Sequence, residues 1–364
     1  MAELNSSTSL SSYSVSKKKI KVLIVDDSAL MCAMIRSALL EDEEFEVLGY
    51  AHDPYEAREK IKQLNPDIIT LDIQMPKMDG LTFLEKIMTL RPMPVVMLSS
   101  LTEKGRQETL YALECGALDY LCKPDGQIAL NDWAIELRQK LKAAAVAKVK
   151  SHQTFPAYQE TQDTKLQKPV DMKLSATGRL IAIGSSTGGV EALNDVIPYF
   201  PVSTPPVVVV QHMPEKFTSS FANRLNTLSH MHVVEAQDGM TLKQGTVYIA
   251  PGNKQMEIVK GPQGYMTVVR DGELCSGHKP SVDILFFSLA KLGTEKISAA
   301  ILTGMGKDGA AGLKALRDSG AFTIGQNEDT CVVYGMPKAA QQLGAVKKEV
   351  SINQIAITLL NNEL

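Results

Sequence analysis

Three residues in the second half of the chain could together perform nucleophilic catalysis. Ser186, His212 and Asp308 each follow a short apolar run typical of a buried strand. If those strands are parallel neighbours, the side chains meet at the sheet edge where open α/β sheets bind ligands. A histidine can take the proton of a serine hydroxyl, and a buried carboxylate fixes that histidine's tautomer. Backbone N–H groups at Thr187 to Gly189 or around Met305 could stabilise an oxyanion.

Each of the three residues also has a structural interpretation that the sequence leaves open. A serine in the turn Gly-Ser-Ser-Thr-Gly-Gly can cap the next helix or bind an anion at its N-terminus. His212 alone can be a hydrogen-bonded structural residue, and Asp308 alone can cap the helix that follows it. Ser185 is as well placed as Ser186, so position alone does not identify a nucleophile.

A second group of polar residues follows the predicted strands of the first half, at one edge of a sheet. They are Asp26, Asp27, Asp72, Ser99 and Lys123. Three carboxylates gathered in one place repel one another unless a cation lies among them, and hard oxygen ligands suit Mg²⁺. A carboxylate beside Mg²⁺ can accept a phosphoryl group, whose oxygens a hydroxyl and an ammonium would hold. The five residues together predict a phosphoacceptor site.

The elements that must position these groups alternate between strand and helix. Five βα units before residue 147 predict a doubly wound parallel sheet with helices on both faces. The second half is predicted to be doubly wound and mainly parallel α/β as well, with a small β-rich insertion. We expect a disordered tail over 1–17, a first domain over 18–142, a polar linker over 143–176 and a second domain over 177–364.

The composition narrows the class of protein. The chain has 364 residues, of which 44% are hydrophobic and 22% charged, as in ordinary soluble proteins. A net charge of −3 gives no reason to expect nucleic-acid binding. The 5 cysteines are scattered, without C-x-x-C, which favours a reduced, cytoplasmic setting. No apolar run approaches the roughly 18 residues of a membrane span, so we expect no membrane insertion.

The first half resembles the receiver domain of two-component response regulators. The resemblance rests on Asp26-Asp27, the segment Leu-Asp-Ile-Gln-Met-Pro-Lys-Met-Asp-Gly over 71–80, Ser99 and Lys123-Pro124. It implies that a histidine kinase phosphorylates Asp72, and that Asp26, Asp27, Asp72 and the carbonyl of Gln74 hold Mg²⁺. It also implies switch roles for Ser99, Tyr120 and Lys123.

The second half resembles the catalytic domain of the CheB family of chemotaxis protein-glutamate methylesterases. The matching segments are Ile-Gly-Ser-Ser-Thr-Gly-Gly, Gln-His-Met-Pro, Leu-Thr-Gly-Met-Gly-Lys-Asp-Gly and Gly-Met-Pro. The resemblance implies that Ser186 is the nucleophile, His212 the base and Asp308 its orienting acid, with an oxyanion hole at Thr187 and Met305 and no catalytic cofactor. Ser185 stands where the family commonly has alanine.

The architecture of a receiver joined by a linker to this catalytic domain implies a regulated enzyme. Its substrates would be γ-glutamyl methyl esters, and also glutamines, on methyl-accepting chemotaxis receptors, and the unphosphorylated receiver would cover the active site. Two other functions remain open on the residues alone. One is a non-catalytic binding switch controlled by phosphorylation. The other is nucleotide binding by the glycine-rich turn, although the chain lacks G-x-x-x-x-G-K-[ST].

Overall fold

Two parallel β-sheets, one in each half of the chain, form the framework of the protein in a computed structural model. The structure describes residues 18–124, 129–149, 169, 178–293 and 296–361. The predicted tail over 1–17 and most of the predicted linker over 143–176 lie outside the described residues.

The N-terminal sheet has five parallel strands, as predicted. They are β1 (Ile20–Val25), β2 (Phe45–Ala51), β3 (Ile68–Asp72), β4 (Val95–Ser99) and β5 (Asp119–Cys122), arranged in the order β2-β1-β3-β4-β5. The helices between and after them are α1 (Ala29–Leu40), α2 (Pro54–Leu64), α3 (Gly80–Leu90), α4 (Glu103–Glu114) and α5 (Leu130–Ala145). The doubly wound (βα)5 prediction is confirmed.

Short polar side chains start four of these helices. Ser28, Asp53, Asp79 and Thr102 occupy the N-cap positions of α1 to α4, and each accepts a hydrogen bond from a backbone N–H of the first turn. Helix α2 combines the Asp53 cap with a proline at its first position. These caps fix the start of each of the four helices, immediately after the loop that follows the preceding strand.

The C-terminal half contains a seven-stranded parallel sheet and a separate hairpin. Its strands are β6 (Leu180–Ser185), β7 (Val207–Gln211), β8 (His232–Glu235), β9 (Thr246–Ile249), β10 (Gln255–Gly261), β11 (Gly264–Arg270), β12 (Ile297–Ile301), β13 (Phe322–Gln326) and β14 (Lys348–Val350). The sheet order is β14-β13-β12-β6-β7-β9-β8. Only β10 and β11 form the predicted insertion, as an antiparallel pair, because β8 and β9 belong to the main sheet.

Six α-helices of the C-terminal half lie in the described residues. They are α6 (Gly189–Asn194), α7 (Phe217–Leu228), α8 (Val282–Ala290), α9 (Ala310–Asp318), α10 (Met336–Gln342) and α11 (Ile352–Leu360), with a short 3₁₀ helix at Ile197–Tyr199 after α6. Within the part of the chain described above, none of the helices combines the length and the apolar character that crossing a membrane requires.

Strand β6 lies between the two strands whose carboxyl ends lead to the other candidate catalytic residues. It pairs with β7 on one side and with β12 on the other, both in parallel. The loop after β6 carries Ser186, the loop after β7 carries His212, and the loop after β12 carries Asp308. The three strands are therefore neighbours in the sheet, as predicted. Helix α8 packs against β6 at Gly184, where a Cβ would lie 2.2 Å from Val282 Cγ1.

This close approach gives a test of the fold. We expect Gly184→Ala to destabilise the protein by about 1–3 kcal/mol, because the added methyl group must displace Val282 and with it the start of α8. Urea unfolding would measure the change. Gly272→Ala is the control, since residue 272 is exposed and its Cβ would meet only the Gln255 side chain, at 3.2 Å. Equal stabilities of the two variants would contradict this account of α8.

Candidate active site

The two serines after β6 have different surroundings. Ser185 is fully buried, and its hydroxyl donates to Gln211 Oε1 at 2.7 Å. Ser186 is half-buried and lines a cavity. The Gln211 amide also donates to the Ser186 carbonyl at 3.0 Å, which holds the turn in place. Ser185 is therefore a structural residue of the strand end, whereas the Ser186 side chain faces open space.

The glycines that follow are required by close contacts. A Cβ at position 189 would lie 2.0 Å from Gln211 Oε1, so only glycine leaves room for the buried hydrogen bond of Ser185. Gly188 has φ 75°, in the left-handed region, and a Cβ there would also meet Val332. The Gly-Gly pair therefore lets α6 begin immediately behind Ser186.

His212 and Asp308 form a direct pair. His212 Nε2 lies 2.8 Å from Asp308 Oδ2, and the two side chains are 9% and 1% exposed. This hydrogen bond favours the tautomer with its proton on Nε2 and leaves Nδ1 as the acceptor. Nδ1 is buried and has no hydrogen-bond partner among the described residues.

The third member of the predicted triad is nearby but not yet bonded. Ser186 and His212 line the same cavity, yet no hydrogen bond joins the Ser186 hydroxyl to the imidazole within the described part of the chain. In enzymes without substrate, such hydrogen bonds are often long and tighten only when substrate binds. The unpaired Nδ1 is thus the ring nitrogen available to a serine proton.

The start of helix α8 holds the Asp308 carboxylate. Ser281 Oγ donates to it at 2.7 Å, Val282 N–H at 2.7 Å and Asp283 N–H at 3.1 Å. Burial alone would raise the pKa of Asp308, but these hydrogen bonds and that from His212 outweigh it and keep the pKa below its usual value. The interpretation of Asp308 as the cap of its own helix is wrong, because its carboxylate binds α8 instead.

A second histidine, which the sequence analysis did not single out, contacts the pair. The rings of His278 and His212 are stacked, with centroids 3.7 Å apart and 11° between planes. Burial, and then the neighbouring His212, lower the pKa of His278 to about 4, so it is neutral at pH 7. No local sequence pattern indicated this contact, because it joins two loops that are distant in the sequence.

Two backbone amides beside Ser186 remain available. The N–H groups of Thr187 and Met305 donate no hydrogen bond within the described residues. The loop that carries Met305 touches the serine, because a Cβ on Gly304 would lie 2.7 Å from Ser186 Cβ. These are the predicted oxyanion positions, and the structure brings both loops to Ser186.

The active-site cavity lies between the two halves of the chain. It has a volume of about 1270 Å³, and its C-terminal wall includes the serine, both histidines and Met305. Asp119, Tyr120 and Lys140 from the N-terminal half form part of the opposite wall. The N-terminal half therefore covers the candidate active site, as the resemblance implied.

Specific contacts hold the halves together around this cavity. Arg224 on α7 makes two hydrogen bonds of 2.9 Å to the Glu114 carboxylate at the end of α4. The Tyr120 and Phe217 rings stack with centroids 4.8 Å apart. The Thr187 hydroxyl donates to Asp119 at 2.6 Å. The last contact links the N-terminal half directly to a residue of the oxyanion loop.

Four of the five residues predicted for the phosphoacceptor site also converge. Oxygen atoms of Asp26, Asp27 and Asp72 lie within 4.8 Å of one another. The Lys123 ammonium lies 2.9 Å from Asp26 and 2.8 Å from Asp72. Burial is the largest cause that raises the pKa of Asp72, to about 6, and Lys123 opposes it. This set of hard oxygen donors fits Mg²⁺. Gln74, the predicted carbonyl ligand, lines a small cavity beside Asp72.

Of the three predicted switch residues, Lys123 contacts Asp72, whereas Ser99 and Tyr120 make other contacts. The Ser99 hydroxyl lies 2.5 Å from Thr109 Oγ1 and donates to the Gly105 carbonyl, so it faces α4. Tyr120 is 4% exposed, and its hydroxyl has no hydrogen-bond partner among the described residues. Burial therefore raises its pKa well above the usual value.

Comparison with family models assigns each half separately. Residues 181–359 match the model described as CheB methylesterase, and residues 22–133 match the response regulator receiver domain.

Two full-length relatives match 94% of this chain. A protein-glutamate methylesterase/protein-glutamine glutaminase 1 of Caulobacter vibrioides is 48% identical over 344 residues, which are 98% of that protein. A protein-glutamate methylesterase/protein-glutamine glutaminase of Salmonella typhimurium is 45% identical over 350 residues, which are 96% of that protein.

A solved structure is similar to the C-terminal half. The crystal structure of the catalytic domain of a Thermotoga maritima CheB methylesterase is 38% identical in sequence, with a TM-score of 0.49. The match covers 50% of this chain and 97% of that one.

The stacked histidines give a pH-dependent prediction. The unfolded His278 takes up a proton near pH 6.5, whereas the folded residue does so near pH 4. Stability should therefore fall as the pH is lowered from 6.5 towards 4, because the unfolded state binds the extra proton. We expect His278→Gln to lose about 2 kcal/mol of this dependence in urea unfolding between pH 7 and pH 4.5.

The exposed His232 provides a matched control for that measurement. His232→Gln should retain the full pH dependence of the wild type. If His278→Gln follows the wild-type pH dependence as well, the neutral state assigned to the buried His278 is wrong.

Proposed function

This chain belongs to the CheB methylesterase family, and we propose from this membership and the site geometry that it is a protein-glutamate methylesterase controlled by phosphorylation of its receiver domain. It hydrolyses γ-glutamyl methyl esters to glutamate and methanol. The observation that carries the proposal is the buried His212–Asp308 pair: His212, whose Nδ1 has no partner among the described residues, lines the cavity that Ser186 also lines.

The proposed reaction uses Ser186 as nucleophile. Its hydroxyl oxygen attacks the ester carbonyl while His212 Nδ1 takes the proton, and Asp308 stabilises the imidazolium through Nε2. His212 then gives the proton to the departing methoxide, so methanol leaves and an acyl-enzyme remains. Water, deprotonated by the same imidazole, hydrolyses the acyl-enzyme to release the glutamate side chain and regenerate Ser186.

The amides of Thr187 and Met305 stabilise the negative charge on the tetrahedral oxygen. Both are without acceptors in the described part of the chain, so a developing oxyanion displaces no existing protein hydrogen bond. One preorganised donor of this kind typically contributes about 10²–10³ in rate. The same steps applied to a glutamine side chain release ammonia instead of methanol, which supports deamidation as a second reaction.

The substrates we propose are methyl-accepting chemotaxis receptors, on the cytoplasmic side of the membrane. The relatives' names pair the methylesterase with a glutaminase, which matches the two reactions above. A binding switch without catalysis is less well supported, because binding alone does not require a buried histidine–carboxylate pair beside an accessible serine. Nucleotide binding has no phosphate loop to support it.

We propose that a histidine kinase phosphorylates Asp72. Asp26, Asp27 and Asp72, with the carbonyl of Gln74, would hold Mg²⁺, which neutralises charge during phosphoryl transfer. Lys123 would release its present contacts and bind a phosphoryl oxygen, and Ser99 would turn from Thr109 towards it. The face around Tyr120 would then change and uncover the active site.

The first test is methanol release from membranes that contain methylated receptors, with and without a small phosphodonor and Mg²⁺. We expect Ser186→Ala to lose at least about 10³-fold in activity and Ser185→Ala to keep most of it. Asp72→Asn should retain the basal rate without stimulation. Release of methanol by Ser186→Ala, or by none of the proteins, would contradict the proposed esterase.

Control by the receiver depends on the pairing of Glu114 with Arg224, which is largely buried between the domains. Reversal of either charge, in Glu114→Arg or Arg224→Glu, should raise the activity of the unphosphorylated enzyme about fivefold or more, because two like charges then face each other. The double variant restores an opposite pair and should return towards the wild-type rate. If both single variants keep the wild-type rate, this pair does not hold the closed state.

A further inference from the structure

A small cavity beside Asp72 is lined by a buried acidic residue, Glu108, which has no role in the reactions described above. The cavity has a volume of about 30 Å³, enough for a water molecule. Its polar lining comes from Asp72, Gln74, Ser100, Glu108 and Lys123. Asp72, Gln74 and Lys123 belong to the proposed phosphorylation site. Glu108 comes from helix α4 and has no role in the reactions described so far.

Close packing of α4 brings Glu108 to this cavity. A Cβ at position 105 would lie 2.5 Å from both the backbone oxygen and the hydroxyl of Ser100, so glycine alone allows the first turn of α4 to lie on the loop after β4. Glu108 follows three residues later and therefore shares that face of the helix. Its presence in the cavity wall is a consequence of this contact.

The carboxylate of Glu108 is buried without full pairing. The residue is 7% exposed, and its Oε2 atom has no hydrogen-bond partner among the described residues. Its other oxygen lies 3.5 Å from Lys104 Nζ, whose side chain is 73% exposed. An unpaired buried carboxylate oxygen destabilises a fold. Next to a space of water size, it is also a group that can accept a proton from that water.

We propose that Glu108 is the general base for hydrolysis of the phosphoryl group on Asp72, and that it limits the lifetime of the activated enzyme. The inference rests on the proposed phosphorylation of Asp72. A water molecule attacks the phosphorus atom and gives one proton to Glu108. The new phosphorus–oxygen bond forms as the bond from phosphorus to Asp72 Oδ breaks. Asp72 recovers its carboxylate, inorganic phosphate leaves, and Glu108 releases the proton to solvent.

The test follows the loss of label from the full-length protein. The protein is phosphorylated with a ³²P-labelled small phosphodonor and Mg²⁺, the donor is removed by rapid desalting, and the retained label is measured over time. We expect Glu108→Gln to lengthen the half-life about 100-fold, the lower end of a general-base contribution. Glu103→Gln removes an equal charge from an exposed position of the same helix and should decay at the wild-type rate.

Two further measurements separate proton transfer from simple charge repulsion. Glu108→Asp keeps the charge but withdraws the carboxylate, so it should also decay slowly if the position of the base matters. The wild-type decay should be slower in D₂O than in H₂O, and Glu108→Gln should lose this difference. Equal labelling of all variants at time zero shows that each is folded.

The outcomes distinguish this inference from the proposed function. If the wild type is labelled at Asp72 but Glu108→Gln decays within about tenfold of its rate, the role of Glu108 is wrong and phosphorylation stands. If Glu108→Gln is slow but Glu108→Asp matches the wild type, Glu108 acts through its charge and the general base is wrong. If the wild type takes up no label, or Asp72→Asn takes up as much, the phosphorylation of Asp72 fails and this inference fails with it.

Discussion

A carboxylate removed from water requires hydrogen-bond donors, and Asp308 obtains four of them from two parts of the chain. Ser281, Val282 and Asp283 bring the start of α8, and His212 brings the end of β7. The contact of α8 with Gly184 then joins the same helix to β6, the strand that carries the serine. The position of the imidazole therefore depends on packing across the sheet edge, because the donors come from the start of α8 and from the loop after β7.

The same edge also binds the receiver domain. The Thr187 hydroxyl is bonded to Asp119, and the adjacent Tyr120 packs on Phe217. Inhibition in this arrangement needs no distortion of the His212–Asp308 pair, which is fully formed beneath the receiver. In the proposed mechanism, activation follows from separation of the domains. That separation breaks the polar contacts and the aromatic stack described above and exposes apolar residues of both halves that share one core cluster.

Much of this arrangement follows from local sequence patterns. Apolar runs that end in polar residues predicted the positions of the phosphoacceptor set and of the three proposed catalytic residues at strand ends. Other features depend on packing between distant segments. The stacking of His278 on His212, the contact of Thr187 with Asp119 and the buried state of Glu108 have no local signal. The short strand β14 was missed because Lys348 and Glu349 are exposed and polar. The sequence could not distinguish Ser185 from Ser186, because the distinction depends on the buried hydrogen bond from the Ser185 hydroxyl to Gln211.

Thr187 connects two properties of this chain. Its amide lies at the proposed oxyanion position, whereas its hydroxyl donates to Asp119 of the receiver, so one residue belongs both to the proposed catalytic site and to the contact between the domains. A mutation that reshapes this loop for a different ester also alters how tightly the receiver docks. A receiver without a carboxylate at the place of Asp119 would therefore lose its contact with the oxyanion loop.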